Sequence, residues 1–516
     1  MHRLLLTLTT LAVAATLWTP TPARADSVKL ILNNPIRESA PLDKCDREVC
    51  TSLVKLINSA KKTIDFAIYG MRNQSDVYEA LKRAKERGVR LRGVIDRDAE
   101  GKNYYTSTED LVAMVGNVGS DLEAERRLLE DERAREEARR ARFGADFKPR
   151  CERPEGFEGP LQCLGFSVGD RCLMAAHASR EKINTAGAIM HNKYFVIDGN
   201  KVWMGSTNVS DSGTGGYNAN LVVLVDNTKV AQMYTEEFEQ MYTHGRYHDY
   251  KKGKGKRTVK VGRVTLDVLF SPQDKPITNA VRPLLQKAKK RIDVGIFFLT
   301  HKGIASDLMK AHERGVKVRV ILDATASKNG YTKHELLRAA GVPVKVETWG
   351  GKMHMKSAVI DGEHVVTGSM NWTSAGEGGN DENTIVIHSK THARQYERYF
   401  DVIWRSIPDT WLQGRPDPES RDSTTSCTDG VDNDYDHKAD GEDPGCRPDA
   451  PKLPELPPHR FIPKEDGHDL VKVYEGVYYP VWHKEYRWIV PTSWMCSVHE
   501  AKDAGLKRPD FKKGRR

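Results

Sequence analysis

The chain has 516 residues, of which 39% are hydrophobic and 29% are charged. This composition excludes wholesale disorder and predicts about three domains with ample cores. After residue 25, no stretch approaches the roughly 18 apolar residues that a membrane-spanning helix needs, so we expect a protein that is not integral to a membrane. The net charge of +9 is compatible with anionic partners but does not distinguish nucleic acid from lipid.

The N-terminus has the pattern of a secretory signal peptide. A basic start precedes the apolar run 4–18, and Ala23-Arg24-Ala25 forms a small-x-small cleavage site before Asp26. We therefore expect residues 1–25 to be removed and the protein to be secreted, in an extracellular or periplasmic compartment. Because Arg3 and Arg24 leave with this segment, the mature net charge would be +7. The alternative of an uncleaved anchor is disfavoured by the short apolar run.

The eight cysteines are expected to form disulfides, because export implies an oxidising compartment. The sequence has no CxxC pair, which argues against a zinc ribbon or a thioredoxin-type redox site. We predict one pairing, Cys427 with Cys446, because these residues bracket a compact acidic loop. The partners of the other six are left open: Cys45, Cys50, Cys151, Cys163, Cys172 and Cys496.

An internal repeat organises most of the chain. In each copy an alternating apolar strand ends at a proline, a basic helix end leads into a buried strand, and a glycine-terminated helix leads into a third strand. The matching segments are 27–35 with 264–272, 61–69 with 289–297, 80–89 with 307–316, and 91–96 with 318–323. Strands that alternate with helices predict an α/β fold, and two such units predict a pseudo-twofold pair with a shared active site between them.

The repeat defines the expected domain organisation. We predict a signal peptide (1–25), a first repeat (26–250) with an insertion at about 100–185, a basic linker (251–260), a second repeat (261–410), a linker with an acidic loop (411–450) and an aromatic and basic C-terminal segment (451–516). Within the insertion, residues 121–142 carry eight acidic and seven basic side chains. We interpret that stretch as a solvated helix or hairpin arm rather than a binding surface.

Each repeat ends in the same polar motif, with identical spacing in every gap. The motif residues are His191, Lys193, Asp198, Gly205, Ser206 and Asn208 in the first copy, and His354, Lys356, Asp361, Gly368, Ser369 and Asn371 in the second. Alternate residues of a strand share a face, so the histidine and lysine of each motif project toward one volume. A lysine, an imidazole, an amide and nearby backbone N–H groups together indicate a site for a phosphate.

The aspartates and serines of the motifs have less specific roles. Asp198 and Asp361 each begin an Asp-Gly turn, and the sequence leaves open whether they serve as turn or ion-pair scaffolding or support the site directly. Ser206 and Ser369 are expected to pack and to form hydrogen bonds, because no arrangement of a serine activated by a histidine is apparent.

These residues resemble the paired HKD motifs of the phospholipase D superfamily, and the resemblance extends over residues 28–407. It implies two α/β sandwich domains with the active site at their interface, and phosphodiester cleavage through a covalent phosphohistidine without a catalytic metal. His191 would be the nucleophile and His354 the general acid. The catalytic residues implied in this way are His191, Lys193, Asp198, Asn208, His354, Lys356, Asp361, Asn371 and Glu382.

Glu382 follows the second motif and corresponds to the acidic residue with which such enzymes orient an imidazole. Our alignment of the repeats places Ala219 at the equivalent position of the first copy, with Asn218 as a weak replacement. The two halves are therefore expected to be unequal.

The sequence favours a phospholipid or membrane surface as substrate, since export modestly favours lipid over genomic DNA. A secreted metal-independent endonuclease of the same superfamily is the alternative, so nucleic acid remains possible; no protein partner is implied. A non-catalytic binding protein is disfavoured because both motifs are intact. Gly165-Phe-Ser167-Val-Gly169 matches the nucleophile elbow of serine hydrolases, but no clear core strand precedes it.

An acidic loop in the linker resembles an EF-hand or thrombospondin type 3 calcium loop. Positions 1, 3, 5, 9 and 12 are taken by Asp432, Asp434, Asp436, Asp440 and Asp443. His437 stands at the usual glycine position and an aspartate replaces the last glutamate, so we expect modest affinity. The prediction is a structural calcium ion, with no cofactor for catalysis.

Overall fold

A computed structural model describes the greater part of the chain. The described residues are 26–143, 161–168, 171–178, 188–329, 332–448, 471–474, 476–480, 483, 493–495 and 498–508. The fold is α/β, with two large mixed sheets flanked by helices, as the repeat predicts.

The first sheet has seven strands and is built by the first repeat. From one edge to the other its strands are Ser27–Leu32, Leu221–Asp226, Lys201–Gly205, Lys193–Ile197, Thr63–Ile68, Arg90–Ile95 and Val118–Ser120. The strand after the histidine motif lies at the centre, antiparallel to both of its neighbours. Its five residues are all buried, which fits a central strand that is covered on both faces.

The second sheet has eight strands and repeats this order. Its strands are Arg257–Val261, Val264–Ser271, Glu382–His388, His364–Gly368, Lys356–Ile360, Arg291–Ile296, Lys317–Leu322 and Val344–Val346. The strand that follows the second motif again lies inside the sheet, antiparallel to both neighbours. The edge strand Arg257–Val261 begins within the segment that the sequence predicts as a basic linker.

Helices cover the sheets. Those of the first repeat are Glu48–Ser59, Ser75–Glu86, Thr108–Val115, Leu122–Phe143 and Thr228–Tyr242. Those of the second repeat are Arg282–Lys287, Lys302–Glu313, Ala324–Ser327, His334–Ala339, Ser374–Gly378 and Lys390–Ser406. Helix Leu122–Phe143 contains the charged stretch that the sequence predicted as a helix or hairpin arm.

One hydrophobic core joins the two repeats. It contains residues from both sheets, and within it the ring of Tyr234, on helix Thr228–Tyr242, lies 5.1 Å from the ring of Phe270 in the second sheet. Two further cores lie on the outer sides of the sheets. Because the repeats share buried apolar surface, they form a fixed pair rather than two tethered domains.

The remaining sequence predictions have mixed outcomes. Cys427 and Cys446 form the predicted disulfide, and Cys45 and Cys50 form a second one. Ser167 lies within strand Leu161–Val168 of a two-stranded hairpin, which is not the strand-to-helix turn that a nucleophile elbow requires. The signal peptide lies outside the described residues. Among the helices of the described part, none is both long and apolar enough to cross a bilayer.

Candidate active site

The two motif histidines meet at the boundary between the repeats, which we call the seam. The segment before His191 pairs with the second repeat through a bridge between Met190 and Asp381, and the His191 backbone N–H donates to the Asp381 carbonyl at 2.9 Å. The segment before His354 pairs with the first repeat through a bridge between Met353 and Ala219. Each histidine therefore enters its strand directly from the seam.

Each imidazole is oriented by a group from the other repeat. The Nδ1 atom of His191 lies 2.8 and 2.9 Å from the two carboxylate oxygens of Glu382. The Nδ1 atom of His354 lies 3.0 Å from the Ser206 carbonyl oxygen and 3.3 Å from Oδ1 of Asn220. With Nδ1–H donated to these acceptors, the Nε2 lone pair of each ring is left for chemistry.

The register of the strands corrects the alignment made from sequence. Gly205 pairs with Val222 in the first sheet and Gly368 pairs with Thr384 in the second, so the residue equivalent to Glu382 is Asn220. The prediction that Ala219 occupies this position was wrong by one residue. The expected inequality of the halves remains, because one imidazole has a carboxylate acceptor and the other an amide and a carbonyl.

Asn218, the predicted weak replacement for Glu382, has another task. Its Oδ1 atom accepts the backbone N–H of Lys352 at 2.8 Å, and its neighbour Ala219 donates to the Lys352 carbonyl at 2.8 Å. Asn218 thus fixes the chain two residues before His354 and does not contact the imidazole through any bond among the described residues.

Glu382 is fully buried and held by several donors. Ser369 Oγ donates to Oε2 at 2.7 Å and Asn380 Nδ2 donates to Oε1 at 3.1 Å. Burial raises the pKa of Glu382 to about 8, against the opposing effects of the Lys193 charge and of these hydrogen bonds. With this pKa the carboxyl is largely protonated at pH 7, and positive charge that develops on the His191 ring favours its ionised form, which is a strong acceptor for the Nδ1–H.

The two motif lysines are buried beside the histidines. Lys193 Nζ donates to the His191 carbonyl at 2.8 Å and Lys356 Nζ to the His354 carbonyl at 2.7 Å, and both side chains are only 1% exposed. Burial lowers the pKa of Lys193 to about 7. Burial and the Lys193 charge lower the pKa of Lys356 well below its usual range.

The histidines respond to the same environment. Burial, followed by the charges of the two lysines, lowers the pKa of both His191 and His354 well below the usual value. Four basic groups thus share one buried site and disfavour each other's protonation. An anion that bound among them would offset these charges and restore the pKa values, which is the electrostatic property expected of a phosphate site.

Aromatic rings cover the site symmetrically. The ring of Tyr69 lies 5.7 Å from the His191 ring, and the ring of Phe297, which aligns with Tyr69 in the repeat, lies 5.2 Å from the His354 ring. Lys193 and Lys356 lie 5.8 and 5.0 Å from the centres of these two rings. The rings shield the site from water, and their π faces attract the positive charge of the lysines.

The motif asparagines carry unpaired polar atoms. Asn208 Nδ2 donates to the Tyr105 hydroxyl at 2.9 Å, whereas Oδ1 of Asn208 and Oδ1 of Asn371 are buried without a hydrogen-bond partner among the described residues. Buried polar atoms without a partner are uncommon in folded proteins, so these two mark positions where a polar ligand group would bind.

Comparison with known proteins identifies the family. The family described as "Cardiolipin synthase, PLD-like domain" matches residues 53–143, 169–242 and 281–404, which is more than half of the chain. The chain belongs to the phospholipase D-like family. The matched segments contain both histidine motifs and Glu382.

Curated relatives match part of this phospholipase D-like chain. Mitochondrial cardiolipin hydrolase of Xenopus tropicalis is 31% identical over 138 residues, which cover 27% of this chain and 66% of that protein. Phospholipase D of Rickettsia conorii (strain ATCC VR-613 / Malish 7) is 33% identical over 119 residues, which cover 23% of this chain and 60% of that protein. The chain thus spans less than two thirds of the length of either relative.

Two solved structures were also similar. Phosphatidylserine synthase of Haemophilus influenzae Rd KW20 aligns with a TM-score of 0.46 at 13% identity, covering 74% of this chain and 87% of its own. NucT from Helicobacter pylori aligns with a TM-score of 0.27 at 22% identity, covering 28% of this chain and 98% of its own.

The motif aspartates lie at the far ends of the motif strands, away from the histidines. The Asp198 carboxylate accepts backbone N–H groups of residues 61–63 at 2.7 to 3.2 Å, and Asp361 accepts those of residues 289–291 at the same range of distances. Of the two roles that the sequence left open, this geometry is that of a scaffold: each carboxylate ties the turn after its strand to the start of the neighbouring strand.

Four buried carboxylates behind the histidines were missed by the sequence analysis. Asp96 and Asp121 both accept the Met190 backbone N–H at 2.9 Å. In the second repeat, Asp323 accepts the Met353 N–H at 2.9 Å and Glu347 accepts the Ala324 N–H at 2.9 Å. Asp96 and Asp323 end equivalent strands of the repeat, and that equivalence was the available signal.

Asp96 and Asp121 together hold the residue before His191, whereas Asp323 alone holds the residue before His354 and has Glu347 as its charged neighbour. Burial and the neighbouring Asp121 raise the pKa of Asp96 well above its usual range, and burial and Asp323 do the same for Glu347. The raised pKa values mean that each pair avoids carrying two buried charges at neutral pH.

The acidic loop places some of its predicted calcium ligands together. Oxygen atoms of Asp434, Asp436 and Asp443 lie within 4.8 Å of one another, and so do those of Asp432, Asp434 and Glu419. Asp440 instead accepts the backbone N–H groups of residues 429 and 430. The backbone at His437 has φ 72°, which is the left-handed conformation that a calcium loop requires at its glycine position.

Proposed function

We propose that the protein is an exported phosphodiesterase that hydrolyses phospholipid head groups, converting phosphatidylcholine-like lipids to phosphatidic acid through a phosphohistidine on His191. The observation that carries the chemistry is the asymmetric support of the imidazoles. Glu382 holds Nδ1 of His191 at 2.8 Å, and two buried lysines flank the site. A carboxylate behind the ring stabilises the positive charge that grows on an imidazole as it attacks phosphorus.

The proposed reaction has two steps. Nε2 of His191 forms a bond to phosphorus while the bond to the head-group oxygen breaks, and His354 gives its proton to that oxygen. Water then attacks the phosphohistidine, and His354 accepts a proton from the water as the bond to His191 breaks. Lys193 and Lys356 hold the non-bridging oxygens in both steps. Because the bound diester anion offsets the lysine charges, it raises the pKa of His354 and favours the protonated acid.

Lipid is the proposed substrate class because the relatives of about 30% identity bear the names cardiolipin hydrolase and phospholipase D. The alternative, an endonuclease, uses the same site. A substrate panel of phosphatidylcholine, cardiolipin, plasmid and single-stranded DNA, each with and without EDTA, separates the two. Choline release without nicking of plasmid supports the lipid enzyme, and nicking without choline release overturns it.

The covalent step has its own test. The wild-type protein and His191→Ala would be quenched in the pre-steady state with a phosphodiester labelled in the phosphoryl group. We expect acid-labile label on the wild-type chain and none on the variant, with hydrolysis by the variant reduced at least 10³-fold, about the size of a nucleophile loss. Full hydrolysis by His191→Ala would refute the phosphohistidine.

Export and calcium remain predictions of the sequence. For export we expect the mature protein to begin at Asp26, which N-terminal sequencing of protein from the culture medium or periplasm would check. For calcium, the close oxygen groups comprise Asp432, Asp434, Asp436, Asp443 and Glu419, whereas Asp440 lies in neither group. We expect EDTA to lower Tm without lowering activity at temperatures below the transition; an unchanged Tm would contradict the calcium site.

A further inference from the structure

Two tyrosines are exposed together beside the site. Among the described residues, Tyr104 is 62% exposed and Tyr435 is 55% exposed, and they stand with Val402 as the large hydrophobic side chains that are most open to solvent. Although the two residues are far apart in sequence, their side chains lie close enough for Tyr435 to contribute to the raised pKa of Tyr104. Tyr104 belongs to the first repeat and Tyr435 to the acidic loop. A pair of exposed aromatic rings from separate elements suggests a surface that contacts a ligand.

The acidic loop holds Tyr435 in a fixed place. The disulfide between Cys427 and Cys446 closes the loop, and the loop contacts both repeats: Asp429 accepts the hydroxyl of Tyr217 from the first, and Asn433 Nδ2 donates to the carbonyl of Gly350 in the second at 2.8 Å. Tyr435 itself has φ 66°, a conformation that large side chains rarely adopt, so these contacts hold the residue against local strain.

A series of rings leads from this tyrosine pair to the reacting histidine. The ring of Tyr104 lies 6.5 Å from that of Tyr69, which in turn lies 5.7 Å from the ring of His191. Along the series the exposed fraction falls from 62% at Tyr104 to 7% at His191. A substrate with its phosphorus at His191 would therefore extend its organic substituent along these rings toward the surface.

Charge indicates which substituent fits. Residues 429–443 contain seven acidic side chains against one lysine, so the loop stays net negative even with the proposed calcium ion bound. Asp432 also acts electrostatically on the Tyr104 hydroxyl. One face of the Tyr435 ring already attracts a cation, because Lys352 Nζ lies 4.9 Å from its centre, so a substrate ammonium group would have to use the other face. The negative charge of the acidic loop repels a polyanion such as DNA and attracts a positively charged group, which the aromatic faces also bind.

We propose that Tyr104 and Tyr435 form an aromatic clamp that binds the ammonium group of the substrate's head group, with the acidic loop supplying the complementary charge. This inference rests on the proposed phosphodiesterase function and adds the specificity for cationic head groups. The acidic loop, and with it Tyr435, lies outside the segments that match the family, whereas Tyr104 lies within the first of them.

The experiment compares head groups on one enzyme. The full-length mature protein would be assayed on phosphatidylcholine and phosphatidylglycerol in the same detergent micelles, on glycerophosphocholine as a soluble diester, and on bis(p-nitrophenyl) phosphate, which has no ammonium group. The variants are Tyr435→Leu, Tyr104→Leu and Tyr435→Phe, with Val402→Ala as a matched exposed control. Melting curves check that each variant is folded.

We expect Tyr435→Leu and Tyr104→Leu each to lower the ratio of kcat/KM for phosphatidylcholine to that for bis(p-nitrophenyl) phosphate about tenfold, mainly through KM. Tyr435→Phe should keep the ratio within about twofold, because the π face remains. The same loss on glycerophosphocholine would place the effect at the head group, whereas a loss confined to micelles would assign the tyrosines to the lipid surface and overturn the clamp.

Other results separate failure of the clamp from failure of the proposed function. Equal losses on phosphatidylcholine and phosphatidylglycerol, or an unchanged ratio, would refute the clamp while leaving the phosphodiesterase intact. If the wild type cleaves DNA and no lipid, and Tyr435→Leu weakens that cleavage, the rings stack on bases and both the lipid function and the ammonium clamp are wrong. If the wild type cleaves none of the diesters, the proposed function itself fails.

Discussion

We expect Glu382→Gln to slow the attack of His191 on phosphorus far more than a substitution of Asn220 slows proton transfer by His354. The substitution keeps the shape of the side chain but removes the charge, and it places an NH₂ group among the donors from His191, Ser369 and Asn380. A hydrogen bond to a charged acceptor contributes about 1.5–3 kcal/mol. If that interaction is made mainly in the transition state, the rate of phosphoenzyme formation falls about 10- to 150-fold.

Asn220 provides the matched comparison, since it occupies the equivalent position beside His354. Asn220→Asp places a carboxylate about where the amide oxygen now lies, 3.3 Å from Nδ1 of His354. A nearby negative charge favours the imidazolium, so we expect the alkaline limb of the pH–rate profile to move upward with a much smaller loss of rate.

The assay is rapid-quench phosphoenzyme formation from bis(p-nitrophenyl) phosphate, with steady-state hydrolysis measured in parallel. A loss in the burst rate for Glu382→Gln, with KM little changed, is the expected result. The reasoning is refuted if Glu382→Gln and Asn220→Asp slow the burst equally, or if Glu382→Gln keeps the wild-type burst while remaining folded.

Three further predictions concern protons, space and pH. Burial lowers the pKa of Lys193 to about 7, so at pH 8 this lysine is mostly unprotonated and should gain a proton when orthovanadate binds. The proton uptake would be measured from the buffer dependence of the binding heat in calorimetry. Lys193→Met should reduce the uptake. Gly205→Ala places a Cβ 2.1 Å from the Leu221 carbonyl oxygen, so we expect it to lower the unfolding free energy, measured in urea, by at least about 3 kcal/mol. The control Gly378→Ala meets nothing within 4 Å and should change the unfolding free energy by less than about 1 kcal/mol. The pKa of Asp96 is raised in the folded state, so its contribution to stability is present below pH 3.8 and is lost as pH rises toward the folded pKa. Asp96→Asn should remove this dependence of the unfolding free energy on pH, measured by urea titrations across pH. An unaltered dependence would contradict the prediction.

The sequence predicted the fold and the members of the site for definite physical reasons. Alternation of strands and helices in two copies requires two similar sheets, and identical spacing places each histidine and lysine at the start of a central strand. The partner of each imidazole was harder to predict. The stretch between Asn208 and Asn220 is one residue longer than that between Asn371 and Glu382, so matching the loops gave Ala219, and only the pairing of the strands gives Asn220.

The carboxylates behind the histidines were also hard to predict, although the equivalence of Asp96 and Asp323 in the repeat was a signal for two of them. Asp96 and Asp323 look like ordinary residues at strand ends, and Asp121 opens a stretch so rich in charge that it reads as solvated surface. Their burial depends on which segments cross the seam, and periodicity gives the face of an element but not its neighbour in another repeat.

The exchange of acceptors across the seam makes the site a property of the pair of repeats. His191 is oriented by Glu382 from the second repeat and His354 by Ser206 and Asn220 from the first. A repeat that folded alone would leave its imidazole without its Nδ1 acceptor and its buried lysine open to water, with a pKa nearer the usual value. The low pKa that keeps His191 unprotonated as a nucleophile therefore depends on the docking of the two sheets, which couples the stability of the shared core to the reactivity of the site.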